Sequence, residues 1–259
     1  MSTCQGALTD CLAAKKTLTM LDLTRLNDID TAQSISHLCQ QARTPFGTVA
    51  AICVYPRFIS TLVAGLAELN LSDQVAIATV VNFPKGQERI SRVEQDIELA
   101  LAAGAQEIDL VLPYRSLIKG DEQTPLAMVQ AAHNVCAKAA LPILLKVIIE
   151  SGELKSPALI TKACQIAIAG GANFIKTSSG KVPINATLEA AELILSAIKD
   201  SGQPIGIKIS GGVRTTAQAR QYLALAASIM GEHWLTPSHL RFGASSLLNE
   251  LLHTLENKA

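Results

Sequence analysis

Eight short apolar runs of strand character recur along the chain's 259 residues, each separated from the next by a longer stretch of helical composition. The runs are Leu18–Leu23, Ala50–Tyr55, Val75–Val81, Glu107–Pro113, Ile143–Ile149, Asn173–Ser178, Ile205–Ser210 and Leu240–Ala244. Helical period marks the segments 87–103, 125–140, 157–170, 187–201 and 216–230 between them. Glycine-containing stops at 103–105, 170–172 and 201–202 end three of these helices, and Asn185 or Thr187 is placed to cap another. Eight alternating units in a chain of this length predict an α/β fold of the (β/α)8 barrel type rather than an open doubly wound sheet. No Gly-x-Gly-x-x-Gly follows the first run, which weighs against a dinucleotide site. No Pro/Gly/Ser-rich linker interrupts the pattern, so residues 1–259 are expected to form one domain. The first seventeen residues read as a short leading helix that covers the bottom of the barrel.

Three of the apolar runs carry a lysine at their centre: Lys146, Lys176 and Lys208. An ammonium is among the costliest groups to bury, so a lysine in a core strand needs a partner or a task. The three recur about one strand-plus-helix unit apart, so neighbouring parallel strands would bring their amines together. Clustered, desolvated amines lose basicity, and an amine that is free at neutral pH is a nucleophile for carbonyls. Asp109 lies in a strand with few other polar groups and would stay ionised beside the lysines, holding water for proton transfer. Asp22 offers a second carboxylate near the end of the first strand. A lone strand lysine is more often snorkelling or salt-bridged than catalytic, and a lone Asp109 would often be a structural ion-pair member. It is the convergence of the set that points to chemistry.

The last three strand ends carry anion-binding signals. Thr177-Ser-Ser-Gly-Lys181 supplies hydroxyls, a glycine and a cation. Ser210-Gly-Gly-Val-Arg-Thr215 and Phe242-Gly-Ala-Ser-Ser246 each lead into a helix. Glycines admit backbone N–H groups close to an anion, and helix N-termini favour negative charge. In barrels of this type function collects at the C-terminal strand ends, and phosphate often binds after strands seven and eight. One such loop is weak evidence; three in succession point to a phosphorylated small molecule. Arg214 reads equally well as a phosphate ligand or a surface cap.

Composition excludes several classes. The 22 basic and 22 acidic residues cancel with no basic stripe, so nucleic acid is not an expected partner. No apolar run reaches the roughly 18 residues of a membrane span. The Met1–Gly6 segment lacks the pattern of a signal peptide, and the six cysteines (Cys4, Cys11, Cys39, Cys53, Cys136, Cys164) include no Cys-x-x-Cys. They read as reduced thiols of a cytoplasmic protein. His233 and His239 bracket a loop instead of forming a ligand pair, so no metal site is expected.

The residues also carry a family resemblance that runs nearly end to end. Met20-Leu-Asp-Leu-Thr24, Ala50-Ala-Ile-Cys-Val-Tyr-Pro-Arg57, Asn82-Phe-Pro84, Glu107-Ile-Asp-Leu-Val-Leu-Pro-Tyr-Arg115 and Leu145-Lys-Val-Ile-Ile-Glu-Ser-Gly152 cover the first five units. Phe174-Ile-Lys-Thr-Ser-Ser-Gly-Lys181, Gly211-Gly-Val-Arg-Thr215 and Arg241-Phe-Gly-Ala-Ser-Ser246 cover the rest. With these stretches the chain resembles the 2-deoxyribose-5-phosphate aldolases, class I (Schiff-base) aldolases with a TIM-barrel fold. The resemblance implies an imine at Lys176, Lys208 as the neighbouring ammonium, Asp109 as the proton-relay carboxylate and Lys146 as a third cation. It implies substrate and phosphate contacts from Asp22, Thr24, Cys53, Thr177, Gly180, Lys181, Gly211, Gly212, Gly243, Ser245 and Ser246. Cys53 matches a family cysteine that unsaturated aldehydes trap, although a buried, inert thiol is its simpler reading.

No cofactor is implied. The expected partners are deoxyribose 5-phosphate, acetaldehyde and glyceraldehyde 3-phosphate, with a homodimer as the candidate assembly. Two departures from the family stand out: Ile209-Ser210 where many members have Pro-Ala, and an end at Glu256-Asn-Lys-Ala259 without a terminal tyrosine. A related Schiff-base sugar-phosphate enzyme and a binding protein without turnover remain alternatives.

Overall fold

The computed structural model describes residues 8–257. Each of the eight runs overlaps a parallel strand: β1 Leu21–Arg25, β2 Ala51–Val54, β3 Ala76–Val81, β4 Glu107–Val111, β5 Leu144–Ile148, β6 Phe174–Lys176, β7 Gly206–Ser210 and β8 Leu240–Ala244. They pair in chain order, and β8 closes onto β1 through Leu21 opposite Phe242. The result is a (β/α)8 TIM barrel. Its strands are buried on both faces, which explains why their sequences read as almost unbroken apolar runs.

Local chemistry sets the boundaries and moves several of them. The first strand begins at Leu21 and not at Leu18, because Thr9 caps a helix over Asp10–Thr19 that absorbs Leu18 as a buried helical residue. Its principal contacts are with helices Thr216–Met230 and Leu247–Glu256, where the first and last units meet. Positions 1–7 of the expected leading helix, Cys4 among them, lie outside the described residues. Strand β4 stops at Val111, and Pro113, which has no N–H to give a ladder, precedes a short helix at Tyr114–Ile118. A two-residue antiparallel pair, Arg43–Thr44 with Gly47–Thr48, was not foreshadowed by the periodicity. No helix among the described residues is long and apolar enough to cross a membrane.

The main core lies between the outward strand faces and the helices, built from aliphatic side chains such as Ile52, Ile108, Leu145, Ile175 and Ile207. The interior of the barrel is divided. Leu26, Ala51, Cys53, Ala78 and Val80 form a small apolar cluster on one side. Alternation on the remaining strands turns charged residues inward. Gly206 makes room within this interior: a Cβ there would stand 2.4 Å from the Phe174 ring and 2.7 Å from the carbonyl oxygen of His239. Gly206→Ala should therefore destabilise the protein by about 1–3 kcal/mol, as other overpacked positions do. A thermal melt should show a midpoint lower by roughly 2–4 °C for each kcal/mol; an unshifted midpoint would contradict the packing described.

Candidate active site

Seven charged side chains, contributed by six strands, meet inside the barrel. Asp109 on β4 is the hub: Oδ1 accepts from Lys146 Nζ at 2.9 Å, and Oδ2 accepts from Lys176 Nζ at 2.8 Å and Lys208 Nζ at 2.7 Å. Asp22 lies 2.6 Å from Lys208 and 3.5 Å from Lys146. Glu107 accepts from Lys146 at 2.5 Å. Arg241 on β8 donates to Asp22 at 2.7 Å and to Glu107 at 3.2 Å, and its Nε donates to the Pro237 carbonyl. The register explains the convergence, since Asp109 pairs with Lys146, and Lys176 with Lys208.

The three lysines are not equivalent. Among the described residues, Lys146 has three carboxylates within 3.5 Å, Lys208 has two, and Lys176 has Asp109 alone. Burial works against the charged form of every one. At Lys208 the opposing pull of Asp109 and Asp22 prevails and raises the pKa, and at Lys146 Asp109 and Glu107 do the same. At Lys176 burial prevails over Asp109, with the Lys208 charge acting in the same direction, and the pKa falls. Asp109, despite burial, is held well below the usual carboxylate range by Lys146, Lys176 and Lys208. Four cations therefore face three carboxylates, and the set is neutral when Lys176 is the uncharged member. The general loss of basicity expected for all three amines holds at Lys176 only, because the other two have more carboxylate neighbours.

A cavity of about 300 Å³ opens above this set at the C-terminal strand ends. Its lining includes Thr24 near the end of β1, Gly180 and Lys181 after β6, Gly211 and Gly212 after β7, and Gly243, Ser245 and Ser246 at the end of β8. Lys176, 2% exposed, is the one member of the charged set that reaches it; Lys146 and Lys208 are fully buried behind it. Gly180 and Gly212 have positive φ (83° and 93°) with open space where a Cβ would sit, so backbone conformation is what calls for glycine. Gly243 has a different reason, since a Cβ there would stand 2.1 Å from Ser210 Oγ. Lys181 spans the mouth, its Nζ donating to the Leu26 carbonyl at 2.6 Å.

Lys176, Lys208, Asp109 and Lys146 are thus brought together, whereas the expected substrate contacts divide. Thr24, Gly180, Lys181, Gly211, Gly212, Gly243, Ser245 and Ser246 line the cavity. Asp22, Cys53 and Thr177 do not. Asp22 is fully buried in the ion-pair set. Cys53 is fully buried in the apolar half of the interior, where burial, reinforced by Asp109, pushes its thiol pKa up. Thr177 Oγ1 clips two strand ends together, donating to the Ser210 carbonyl at 3.2 Å and accepting from the Ser210 N–H at 3.0 Å. Ser210, part of the Ile209-Ser210 departure from the family pattern, lines the cavity beside Gly211. Arg241 and Glu107 escaped the sequence reading, although the signal that singled out the lysines, a charge within an apolar strand, marks them too. Among the described residues, no cluster of three or more His, Cys, Asp or Glu is arranged to hold a metal ion.

Known proteins share this fold. A family model described as DeoC/LacD family aldolase matches residues 16–253. An apo-form structure from Toxoplasma gondii ME49, provisionally named a deoxyribose-phosphate aldolase, is similar at a TM-score of 0.87 and 25% identity, over 96% of this chain and 99% of that one. One from Coccidioides immitis, also provisionally so named, gives 0.80 and 24% over 93% and 86% of the two chains. The tetrameric deoxyribose phosphate aldolase of Aeropyrum pernix gives 0.73 and 20% over 100% of both.

The charge distribution around Lys176 is open to titration. Borohydride trapping of an aldehyde on Lys176 requires the free amine, so its yield should rise as pH passes the lowered pKa of that group. Lys208→Gln removes a neighbouring positive charge and leaves Asp109 to pair more closely with Lys176, and both effects raise the Lys176 pKa. The trapping profile should therefore move to higher pH in a variant whose circular dichroism is native. An unmoved profile would show that Lys208 does not tune Lys176. Glutamine is preferred to leucine here, because an apolar side chain would leave Asp22 and Asp109 buried without a hydrogen-bonding partner on β7 and would destabilise the fold by about 3–5 kcal/mol.

Proposed function

The chain belongs to the DeoC/LacD family of aldolases, and from that premise we propose that it cleaves 2-deoxy-D-ribose 5-phosphate reversibly to D-glyceraldehyde 3-phosphate and acetaldehyde through an imine on Lys176. One observation carries the reading: the buried cation with the fewest carboxylate partners is the one that reaches the cavity. A neutral Lys176 is a nucleophile poised at the floor of a space bounded by anion-binding loops.

The chemistry follows from the placement. Lys176 Nζ adds to the C1 aldehyde of the open-chain sugar, and loss of water gives a protonated imine. The C2–C3 bond breaks as the C3 hydroxyl gives up its proton, and the electron pair flows into the imine to leave an enamine of acetaldehyde. Asp109, held as a carboxylate between Lys176 and Lys208, receives that proton through a water held by Asp109 and Lys208. Protonation of the enamine at carbon and hydrolysis of the imine release acetaldehyde and restore the amine. Lys208 stays charged throughout, so its field favours the neutral amine before attack and its N–H groups keep Asp109 oriented.

The glycines at 180, 211 and 212 and the serines at 245 and 246 form the opposite rim, where the helix Leu247–Glu256 begins. A phosphate seated there meets backbone N–H groups and a favourable helix dipole. It fixes C1 over Lys176 and converts part of the entropic barrier into binding.

Reduction with borohydride in the presence of acetaldehyde should add one ethyl group to the peptide containing Lys176, read by mass spectrometry. Dihydroxyacetone phosphate should trap poorly. Labelling confined to Lys208 or Lys146 would sink the assignment, and preferential trapping by dihydroxyacetone phosphate would indicate a different donor.

The phosphate end is probed separately. Ser245→Asp places a carboxylate on the rim and should weaken transition-state binding of the phosphorylated sugar by roughly 2–4 kcal/mol. Specificity for deoxyribose 5-phosphate over unphosphorylated deoxyribose should then fall about 30- to 1000-fold. Equal losses on both sugars in a folded variant would place the phosphate elsewhere.

A further inference from the structure

Glu150 follows β5 and is buried completely. Its backbone is left-handed, with φ 56° and ψ 56°, a conformation that disfavours residues other than glycine and asparagine. Its Oε1 accepts a hydrogen bond from the Ser179 N–H at 3.0 Å, and its Oε2 has no hydrogen-bonding partner among the described residues. Burial raises its pKa, with the Ser179 hydrogen bonds and the Lys176 charge acting the other way. Full burial, left-handed backbone and an unpartnered carboxyl oxygen all argue against glutamate here on stability alone.

The position of Glu150 suggests what the side chain is for. Ile148 pairs with Lys176, and the Ser151 N–H donates to the Thr177 carbonyl at 2.9 Å, so Glu150 stands beside the chain that leads out of Lys176 into the cavity wall. From Ser179 the wall continues through a series of hydrogen bonds. Ser179 Oγ accepts from the Lys181 N–H at 3.1 Å, and Lys181 Nζ reaches across to the Leu26 carbonyl. Ser179, Gly180 and Lys181 all line the cavity. Gly180, with its positive φ, has no side chain to hold it in place.

We propose that Glu150 is a positioning residue for the anionic end of the substrate: its carboxyl, gripping the Ser179 amide from below, fixes the Ser179–Lys181 wall against which the phosphate is held. The assignment rests on the reaction proposed above for its substrate, but the anchoring itself is a matter of geometry. Glutamine at this position keeps an Oε1 acceptor for Ser179. Asparagine tolerates the left-handed backbone but is one methylene too short to reach.

The test compares Glu150→Gln with Glu150→Asn, and with Glu150→Gly, which relieves the backbone conformation altogether should the asparagine variant fold poorly. The readouts are KM and kcat for deoxyribose 5-phosphate, turnover of unphosphorylated deoxyribose, and the Kd of inorganic phosphate by calorimetry. Asparagine and glycine should raise KM and the phosphate Kd about tenfold or more, as expected when a hydrogen bond to a charged group is lost. Turnover of deoxyribose should fall far less, and glutamine should restore phosphate binding.

Wild-type KM and phosphate affinity in the asparagine or glycine variant would overturn the proposal. So would equal loss on both sugars, or a glutamine variant as impaired as asparagine, which would make the charge and not the anchor the operative property. Wild-type protein that cleaves neither sugar would defeat the proposed reaction instead, and the phosphate titrations would still decide the role of Glu150.

Discussion

Asp109 accepts hydrogen bonds from three lysines on three successive strands, and the barrel interior is organised around that carboxylate. Without it, three ammonium groups would be buried within reach of one another, an arrangement that desolvation and mutual repulsion forbid. With it, Lys146 and Lys208 are locked as cations that also share Asp22, and Lys176 becomes the amine whose charge is least supported. A single acidic residue therefore does two things. It makes the buried set stable enough to exist, and, as the one carboxylate paired with Lys176 among the described residues, it is outweighed there by burial, so that the pKa of this lysine is lowered.

The interior departs from the usual barrel filling of branched aliphatic layers. One side keeps small apolar residues, Ala51, Cys53 and Ala78, and the other carries seven ionisable groups. Buried ion pairs are seldom a route to greater stability, because desolvation offsets much of their attraction. Their value here lies in orientation. Arg241 bridges Asp22 and Glu107 and lies 5.9 Å from the Phe174 ring, so the carboxylates that hold Lys146 and Lys208 are themselves held. The placement of Lys176 thus rests on Asp22 and Glu107, three contacts away, and on Arg241, four contacts away, none of which lines the cavity.

The cavity combines two different kinds of site. Its floor is a rigid strand lysine backed by the ion-pair set, and its rim is glycine-rich loop held by local hydrogen bonds such as Lys181 to Leu26. In the proposed reaction, the chemistry that must be placed to a fraction of an ångström sits on strands, while the part that must accept and release an anion sits on loops. Glu150 and Thr177 join the two, one through the Ser179 amide and the other through both backbone groups of Ser210.

Much of this was legible in the sequence. The eight apolar runs dictated the barrel, because parallel strands buried on both faces leave an aliphatic signature that little else imitates. A lysine at the centre of three such runs, and Asp109 in a fourth, marked the buried charged set through the cost of burying charge, and the glycine–serine loops marked the lining of the cavity. Strand register and side-chain reach lay beyond it. Whether Asp22 and Thr177 face the cavity or hold the frame depends on register and reach, and Thr177 turns aside to Ser210 while Thr24 lines the opening. Leu18 fell to a helix because the Thr9 cap upstream outweighed its apolar neighbours. The ranking of three similar lysines needed the count of carboxylates around each, and those come from strands far apart in the chain. Asp109 and Lys208 are 99 residues apart yet 2.7 Å from one another, a proximity that only closure of the barrel creates.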